Sequence, residues 1–293
     1  MPSYTPKAVA NLLRRHGLAA LKGLGQNFLL DEAALNSIVA AAELTGVEAV
    51  LEVGPGLGFL TALLAQRAAH VQGVELDAGF VRVLAETVRA HPNVRIHHAD
   101  FLKLDLPAFA DEFLHPLPAT VVANVPYYIT SPILLKLLQT GALWKSIVVL
   151  VQQEVALRLQ AGPGSPDYGS LSVYTQFRAS AEIVGKVPRG AFHPAPNVDS
   201  AIVRLRPHLT PPVNVNDPHR FEVVVRGAFG QRRKTLGNAL ATAIGKDTAR
   251  AALAAAGIDP QRRGETLTMQ EFATLSNASG PADRPPADGS APE

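Results

Sequence analysis

From residue 47 onward, short apolar runs alternate with stretches of helical period, which predicts βαβ units around a buried parallel sheet. Strands are expected at 49–53, 70–75, 94–97, 120–123 and 146–151. Helices are expected at about 59–68, from the end of the second strand to about residue 90, and at 154–159 and 170–177. Residues 182–184 and 200–205 read as an antiparallel pair at the edge of the sheet. Gly162-Pro163-Gly164-Ser165-Pro166 marks a surface loop, and the prolines and asparagines of 207–218 mark a linker. Beyond that linker the pattern is helical and alanine-rich to about Leu275, whereas Ser279 to Glu293 has no apolar face and is expected to be disordered. The organisation is therefore an α/β domain over 1–206 with a basic arm at 1–30, a small helical domain over 207–277, and a tail over 278–293.

Composition supports this division. With 293 residues, 47% hydrophobic and 18% charged, the chain has the balance of a soluble globular protein with room for one large and one small domain. The formal charge of +2 conceals two basic ends. Lys7, Arg14, Arg15 and Lys22 precede the first acid, Asp31, and between Arg204 and Arg263 the bases far outnumber Asp217, Glu222, Asp247 and Asp259. Clustered charge, rather than its sum, decides whether phosphate is attracted. The absence of cysteine excludes disulfides and thiolate metal sites. No signal pattern or membrane-length apolar run is present, so cytoplasmic residence without membrane attachment is expected.

Glu52-x-Gly54-x-Gly56-x-Gly58 falls at a predicted strand-to-helix junction, where glycine lets the backbone turn sharply and approach a ligand. The third glycine comes one residue early for a dinucleotide fingerprint, because position 59 is phenylalanine. That spacing favours a methyl-donor site over a pyrophosphate site. Glu75 ends the second strand, roughly 20 residues on, where an acid meets ribose hydroxyls. Asp100 follows the third strand and is placed to accept from an adenine amine. Glycines alone would serve equally for tight helix–sheet packing. Joined to acids at successive strand ends they mark the ligand crevice of an open α/β sheet.

Asn124-Val125-Pro126-Tyr127 carries the second signal. The lone pair of an adenine exocyclic amine is delocalised into the ring, so the amine is a poor nucleophile. Two oxygens that accept its N–H hydrogens favour the pyramidal geometry of the transition state, in which the lone pair is available. Asn124 supplies one oxygen from its side chain and Val125 the other from its carbonyl. Pro126 fixes the turn, and Tyr127 stacks on the base, a contact worth about 1–3 kcal/mol. A sulfonium donor then needs chiefly alignment, which removes roughly 7–11 kcal/mol of barrier. No strong general base is required. A simple turn after a strand would use the same four residues, so the reading rests on their combination with the glycine turn.

Phe192-x-Pro194-x-Pro196-x-Val198-x-Ser200 is a proline-stiffened loop that can present Phe192 to the other face of the base. His193, a lone histidine in this loop, is not assigned a chemical role. His97 and His98 lack carboxylates at metal-ligand spacing, and no metal is expected. Gly23-Leu24-Gly25-Gln26-Asn27-Phe28-Leu29 precedes a helix capped by Asp31 and is suited to close over a cofactor. Arg232-Arg233-Lys234, with Arg220, Arg226 and Arg250, reads as a phosphate-tracking surface as readily as a solvated helix face.

As an ordered set, Gly25-Gln26-Asn27-Phe28-Leu29, Glu52-Val53-Gly54-Pro55-Gly56-Leu57-Gly58, Glu75-Leu76-Asp77, Asn124-Val125-Pro126-Tyr127-Tyr128, the Phe192–Ser200 pattern and Arg232-Arg233-Lys234-Thr235-Leu236 are highly specific. From about Gly23 to Leu275 the chain resembles the bacterial small-subunit rRNA adenine dimethyltransferases. The resemblance implies a Rossmann-like S-adenosylmethionine-dependent methyltransferase sheet with a small C-terminal helical domain, acting as a monomer. It implies dimethylation of two adjacent adenosines in the 3′-terminal hairpin of 16S rRNA, within the small ribosomal subunit or its precursor. It places Asn27, Leu29 and Gly56 on the donor, Gly54 against its methionine part, Glu75 on ribose and Asp100 on the donor adenine. Asn124 then borders both donor and target, and Tyr127 and Phe192 sandwich the target base. Leucine is common in the family at the position of Val125, and glycine at that of Ala99. The first change leaves the carbonyl in place; the second is a mild departure. Three other readings share some of these features: a resistance-type 23S rRNA dimethyltransferase, a DNA adenine methyltransferase, for which no sizeable target-recognition domain is evident, and a non-catalytic RNA-binding assembly factor.

Overall fold

The computed structural model describes residues 5–18, 27–231 and 233–281. The chain opens with α1 (Pro6–Arg15), the two-residue strand β1 (Phe28–Leu29) and α2 (Glu32–Ala41). Proline at the first position of α1 suits a helix start, and Thr5 caps it by accepting from the Ala8 N–H at 3.3 Å. Asp31 caps α2 as its sequence position predicts, accepting from the Ala34 N–H at 2.7 Å. Although it lies in the basic arm, α1 buries Val9, Leu12 and Leu13 in the main core, and Arg15 pairs with Glu86 at 2.6 Å.

Next come β2 (Ala49–Val53), α3 (Phe59–Ala65), β3 (His70–Glu75), α4 (Ala78–Thr87), β4 (Val94–His98), α5 (Leu106–Phe113), β5 (Ala119–Ala123), α6 (Tyr127–Gln139) and β6 (Trp144–Gln152). These are followed by α7 (Gln153–Gln160), α8 (Ser170–Arg178), β7 (Ala179–Val187), β8 (Phe192–His193) and β9 (Ser200–Pro207). Seven strands form one sheet in the order β4-β3-β2-β5-β6-β9-β7. The first five are parallel, and every residue of β2 and β5 is buried, which is why these strands are apolar apart from Glu52 and Thr120.

β7 and β9 pair antiparallel, as the sequence predicts, but they are not both at the edge. β9 also pairs antiparallel with β6, so it is interior and β7 is the edge strand. The burial of Ala201, Ile202, Val203 and Leu205 accounts for that position. A further difference is α6, which the turn-like Asn124–Tyr127 sequence did not announce. Proline at 132 stands inside this helix, and its apolar face buries Ile133, Leu134, Leu137 and Leu138.

The chain divides into two compact units: residues 1–157 with 178–209, and residues 158–177 with 210–293. The sequence places the boundary at 206/207 and leaves 158–177 in the first domain. In the structure Tyr168, Val173 and Phe177 belong to the core of the second unit, with Phe221, Val224, Leu240, Leu253 and Phe272. The Tyr168 hydroxyl donates to the Leu267 carbonyl at 3.0 Å.

The second unit is otherwise helical: α9 (Pro218–Gly230), α10 (Leu236–Ile244), α11 (Lys246–Ala256) and α12 (Met269–Ala278). Thr268 and Glu271 form a reciprocal capping box at the start of α12. The disordered tail expected from 278 needs correction at its start. Ser279 is buried, its hydroxyl accepts from Arg220 Nε at 2.8 Å, and its carbonyl accepts from Arg220 Nη2 at 2.8 Å. The remainder of that expectation, 282–293, lies outside the described residues. Among the described residues no helix is long and apolar enough to cross a membrane.

Candidate active site

Strand order fixes where the site lies. The chain builds outward from β2 through β3 to β4 and then returns to β5 on the other side, so the carboxyl ends of β2 and β5 border a topological switch point. In the parallel register Val53 is opposite both Val74 and Ala123. The residues that follow, Gly54 and Asn124, therefore leave the sheet side by side, with Glu75 one strand away.

Around this point is a cavity of about 600 Å³, within the usual range for a small-molecule site. Its walls include Asn27, Leu29, Gly54, Gly56, Glu75, Asp100, Asn124, Tyr127 and Phe192, so the structure brings together every residue that the sequence assigns to donor or base.

The glycine turn admits no ordinary side chain. Gly54 and Gly58 have φ of +71° and +81°. A Cβ on Gly54 would sit 3.0 Å from Val125 Cγ1, and one on Gly58 would sit 2.7 Å from Thr87 Oγ1. Gly58→Ala is expected to destabilise the first unit by about 1–3 kcal/mol, the cost of a strained left-handed residue. Urea unfolding measures this, and wild-type stability in the variant would contradict the packing account.

Glu75, buried to 7%, is held by two backbone donors, the Gly56 N–H at 3.0 Å and the Asp77 N–H at 2.9 Å. Each carboxylate oxygen keeps acceptor capacity for a ligand hydroxyl. Burial pushes its pKa up, against the opposing effect of the Asp77 and Gly56 N–H groups. Asp100 caps a short 3₁₀ turn by accepting from the Leu102 N–H at 3.0 Å, and its second oxygen is 3.7 Å from Lys103 Nζ. Lys136 braces the same turn by donating to the carbonyls of Leu102 and Leu104, both at 2.6 Å. Nothing in the sequence pattern singles out this lysine beyond its being a lone charge within Ile133-Leu134-Leu135-Lys136-Leu137-Leu138.

At the tetrad, Asn124 lines the cavity, and its side-chain amide makes no hydrogen bond among the described residues. The loop hydrogen bonding at the start of α6 ends on Pro126, with Ile129 N donating to Pro126 O at 3.1 Å. The Val125 carbonyl therefore stands just ahead of those bonds. Pro126 has φ −52° and ψ 138°, which turns the chain out of the sheet and into α6. The Tyr127 and Ser200 hydroxyls share a hydrogen bond at 2.6 Å, and burial raises the tyrosine pKa. Ser200 closes the Phe192 motif in sequence, but nothing in the pattern showed that it would fix the tyrosine ring.

β1 pairs antiparallel with β8, with Leu29 opposite Phe192. This pairing joins the amino-terminal motif to the proline loop, and it buries Phe192 to 5% while leaving the residue in the cavity wall. Residues 23–26 of the expected closing segment lie outside the described residues. His97 packs between Phe109 and Phe113 and bonds to Gln72 Oε1 at 2.8 Å, away from the cavity lining.

The basic cluster of the second unit is smaller than the sequence indicates. Arg220 is buried against Ser279, and Arg250 pairs with Asp247 at 3.0 Å. In the first unit, Arg204 and Arg206 are matched by Glu43 and Glu182. Arg226, Arg233 and Lys234 remain exposed, and Arg232 lies outside the described residues.

Comparison with known proteins agrees with this geometry. Residues 18–279 match the family model described as ribosomal RNA adenine dimethylase. The chain is 49% identical over 286 residues to ribosomal RNA small subunit methyltransferase A of Geobacillus thermodenitrificans, covering 96% of this chain and 98% of the relative. It is 43% identical to the protein so named from Alkaliphilus oremlandii, covering 93% and 96%. Among solved structures, a dimethyladenosine transferase from Plasmodium falciparum aligns with a TM-score of 0.68 at 25% identity, covering 84% of this chain and 94% of that one. The 23S rRNA methyltransferase ErmE aligns with a TM-score of 0.64 at 31% identity, covering 86% and 99%. With its Rossmann-like sheet, its glycine turn beside Asn124–Tyr127 and a match spanning both compact units, this chain belongs to the ribosomal RNA adenine dimethylase family.

Proposed function

We propose that this protein dimethylates N6 of two adjacent adenosines in the 3′-terminal hairpin of 16S rRNA, with S-adenosylmethionine as donor, during small-subunit assembly. The observation that carries this reading is the parallel register that sets Asn124 beside the glycine turn, with Glu75 on the strand flanking that turn on its other side. Greater identity to the small-subunit methyltransferases, 43–49%, than to the 23S enzyme, 31%, favours the small-subunit target. The intact Asn124, Pro126 and Tyr127 favour catalysis over a purely structural role.

The donor fits the residues present. Glu75 offers spare acceptor capacity to ribose hydroxyls, Asp100 serves the donor adenine, and the backbone at Gly54 and Gly56 leaves room for the methionine part. Asn27 and Leu29 close the pocket from the β1 side. When bound, the donor supplies a methyl group made electrophilic by its sulfonium. The chain's own work is on the base. In the first transfer Asn124 Oδ1 and the Val125 carbonyl accept the two N–H hydrogens of the amine, and in the second one of them accepts the hydrogen that remains, which favours the pyramidal form. Tyr127, fixed by Ser200, and Phe192 hold the ring between them. Each transfer leaves a neutral thioether and a cationic nitrogen, whose proton then passes to solvent, so no buried base is needed.

The deciding experiment incubates donor, protein and under-methylated 30S particles, then measures modified nucleosides by mass spectrometry. Dimethyladenosine in 16S rRNA is expected. Its absence, or its appearance in 23S rRNA instead, would overturn the assignment. In the second unit, replacing Arg232, Arg233 and Lys234 with alanine should lower the slope of log affinity against log salt by roughly 2–3, as expected for three lost phosphate contacts. An unchanged slope in filter binding would make these residues an ordinary solvated surface.

A further inference from the structure

Among the described residues, eight large apolar side chains are exposed, and three of them, Leu76, Leu102 and Tyr128, line the same cavity. Scattered exposed apolar residues need no explanation, but a group at one mouth does. Leu76 follows Glu75 and Leu102 follows Asp100 by two, so both belong to the donor side, where a bound nucleoside covers them. Tyr128 lies on the other side, next to Tyr127, and is 67% exposed.

The two tyrosines are not equivalent. Tyr127 is held by Ser200 at 2.6 Å, whereas Tyr128 has no hydrogen-bond partner among the described residues. They are consecutive in the first turn of α6, separated by about 100° of helical rotation and about 3.8 Å between Cα atoms. One ring therefore faces into the cavity while the next faces out at its mouth. A base that enters the cavity leaves the stack, and the base beside it loses a stacking partner at the same moment. An unpaired aromatic ring at the mouth replaces that partner without requiring a particular base edge.

We infer that Tyr128 is a second base-binding platform, on which the purine adjacent to the target adenosine stacks while the target occupies the cavity. The inference rests on the function proposed above and extends it. With two adjacent adenosines as substrate, each serves in turn as target and as neighbour. Tyr128 thus acts on both transfers and gives the site its preference for paired purines.

The test uses the full-length protein and under-methylated 30S particles with either the natural adenosine pair or uridine replacing one adenosine. Donor affinity is measured separately by calorimetry. Tyr128→Ala is expected to keep wild-type donor affinity and to lose roughly tenfold in kcat/KM on the natural pair, the scale of one lost base–aromatic stack. Tyr128→Phe should retain activity. The uridine substitution should cost the wild-type enzyme more than it costs Tyr128→Ala, because the alanine variant has no stack left to weaken. Wild-type kcat/KM in Tyr128→Ala, or an equal uridine penalty in both proteins, would overturn the platform alone. A wild-type enzyme that makes no dimethyladenosine on natural particles would overturn the proposed function, and this inference with it.

Discussion

Replacing Asn124 with alanine is expected to lower dimethyladenosine formation by roughly 10²- to 10³-fold, the usual effect of removing one oriented group that stabilises a transition state. Asn124 leaves β5 beside Gly54 and lines the cavity, and its amide has no protein partner among the described residues. In the planar ground state the adenine amine gains little from an acceptor placed for its pyramidal form, so the contact is made chiefly in the transition state. Loss of such a contact lowers kcat and kcat/KM together and leaves KM nearly unchanged. RNA affinity, supplied largely by phosphate contacts elsewhere, should not move. Single-turnover methylation of 30S particles and filter binding of RNA measure the two quantities. A variant with wild-type turnover would remove Asn124 from the mechanism; a variant defective only in RNA binding would assign it to recognition.

Much of this site was legible because its residues sit on elements that burial makes legible. β2 and β5 are covered on both faces and are apolar except at Glu52 and Thr120, so the strand ends carrying Gly54 and Asn124 could be located. Glu75 followed from the same logic at β3, whereas Asp100 was found only by its place just beyond β4, an edge strand with no fully buried residue. Features that depend on distant partners were not legible. α6 was obscured by Pro126 and Pro132, because a proline inside an apolar stretch reads as a break. β9 shows the same apolar pattern whether its second neighbour is solvent or β6. The pairing of Leu29 with Phe192 and the bond between Tyr127 and Ser200 each join segments far apart in sequence. Charge was misread for a related reason. Arg220 looks like a phosphate ligand in the sequence, and only the fold shows it buried against Ser279.

Glu52 makes the same point and has the largest consequence for stability. In the sequence it is the acid that precedes the glycine turn; in the structure it is 1% exposed, and its Oε2 has no hydrogen-bond partner among the described residues. Burial pushes its carboxyl up from the ordinary 4.5 to about 8, and the nearby Glu75 carboxylate acts in the same direction. Below pH 4.5 the group is protonated in both folded and unfolded chains and has no effect on the balance between them. Between 4.5 and about 8 the folded chain keeps a proton that the unfolded chain has released, so stability falls as pH rises through this window. At about 1.4 kcal/mol per pKa unit, the accumulated loss is on the order of a few kcal/mol. Glu52→Gln preserves the size of the side chain and cannot ionise, so its stability should decline less over the same range. Trp144, the single tryptophan, is buried in β6 and reports unfolding of this unit by fluorescence. Urea unfolding across the pH series should show the variant gaining on the wild type as pH rises. Glu75 contributes to both proteins and cancels in that difference, except where its charge acts on Glu52 itself. A difference that stays constant with pH would mean that Glu52 ionises normally in the folded chain, and that solvent or a ligand group reaches its second oxygen.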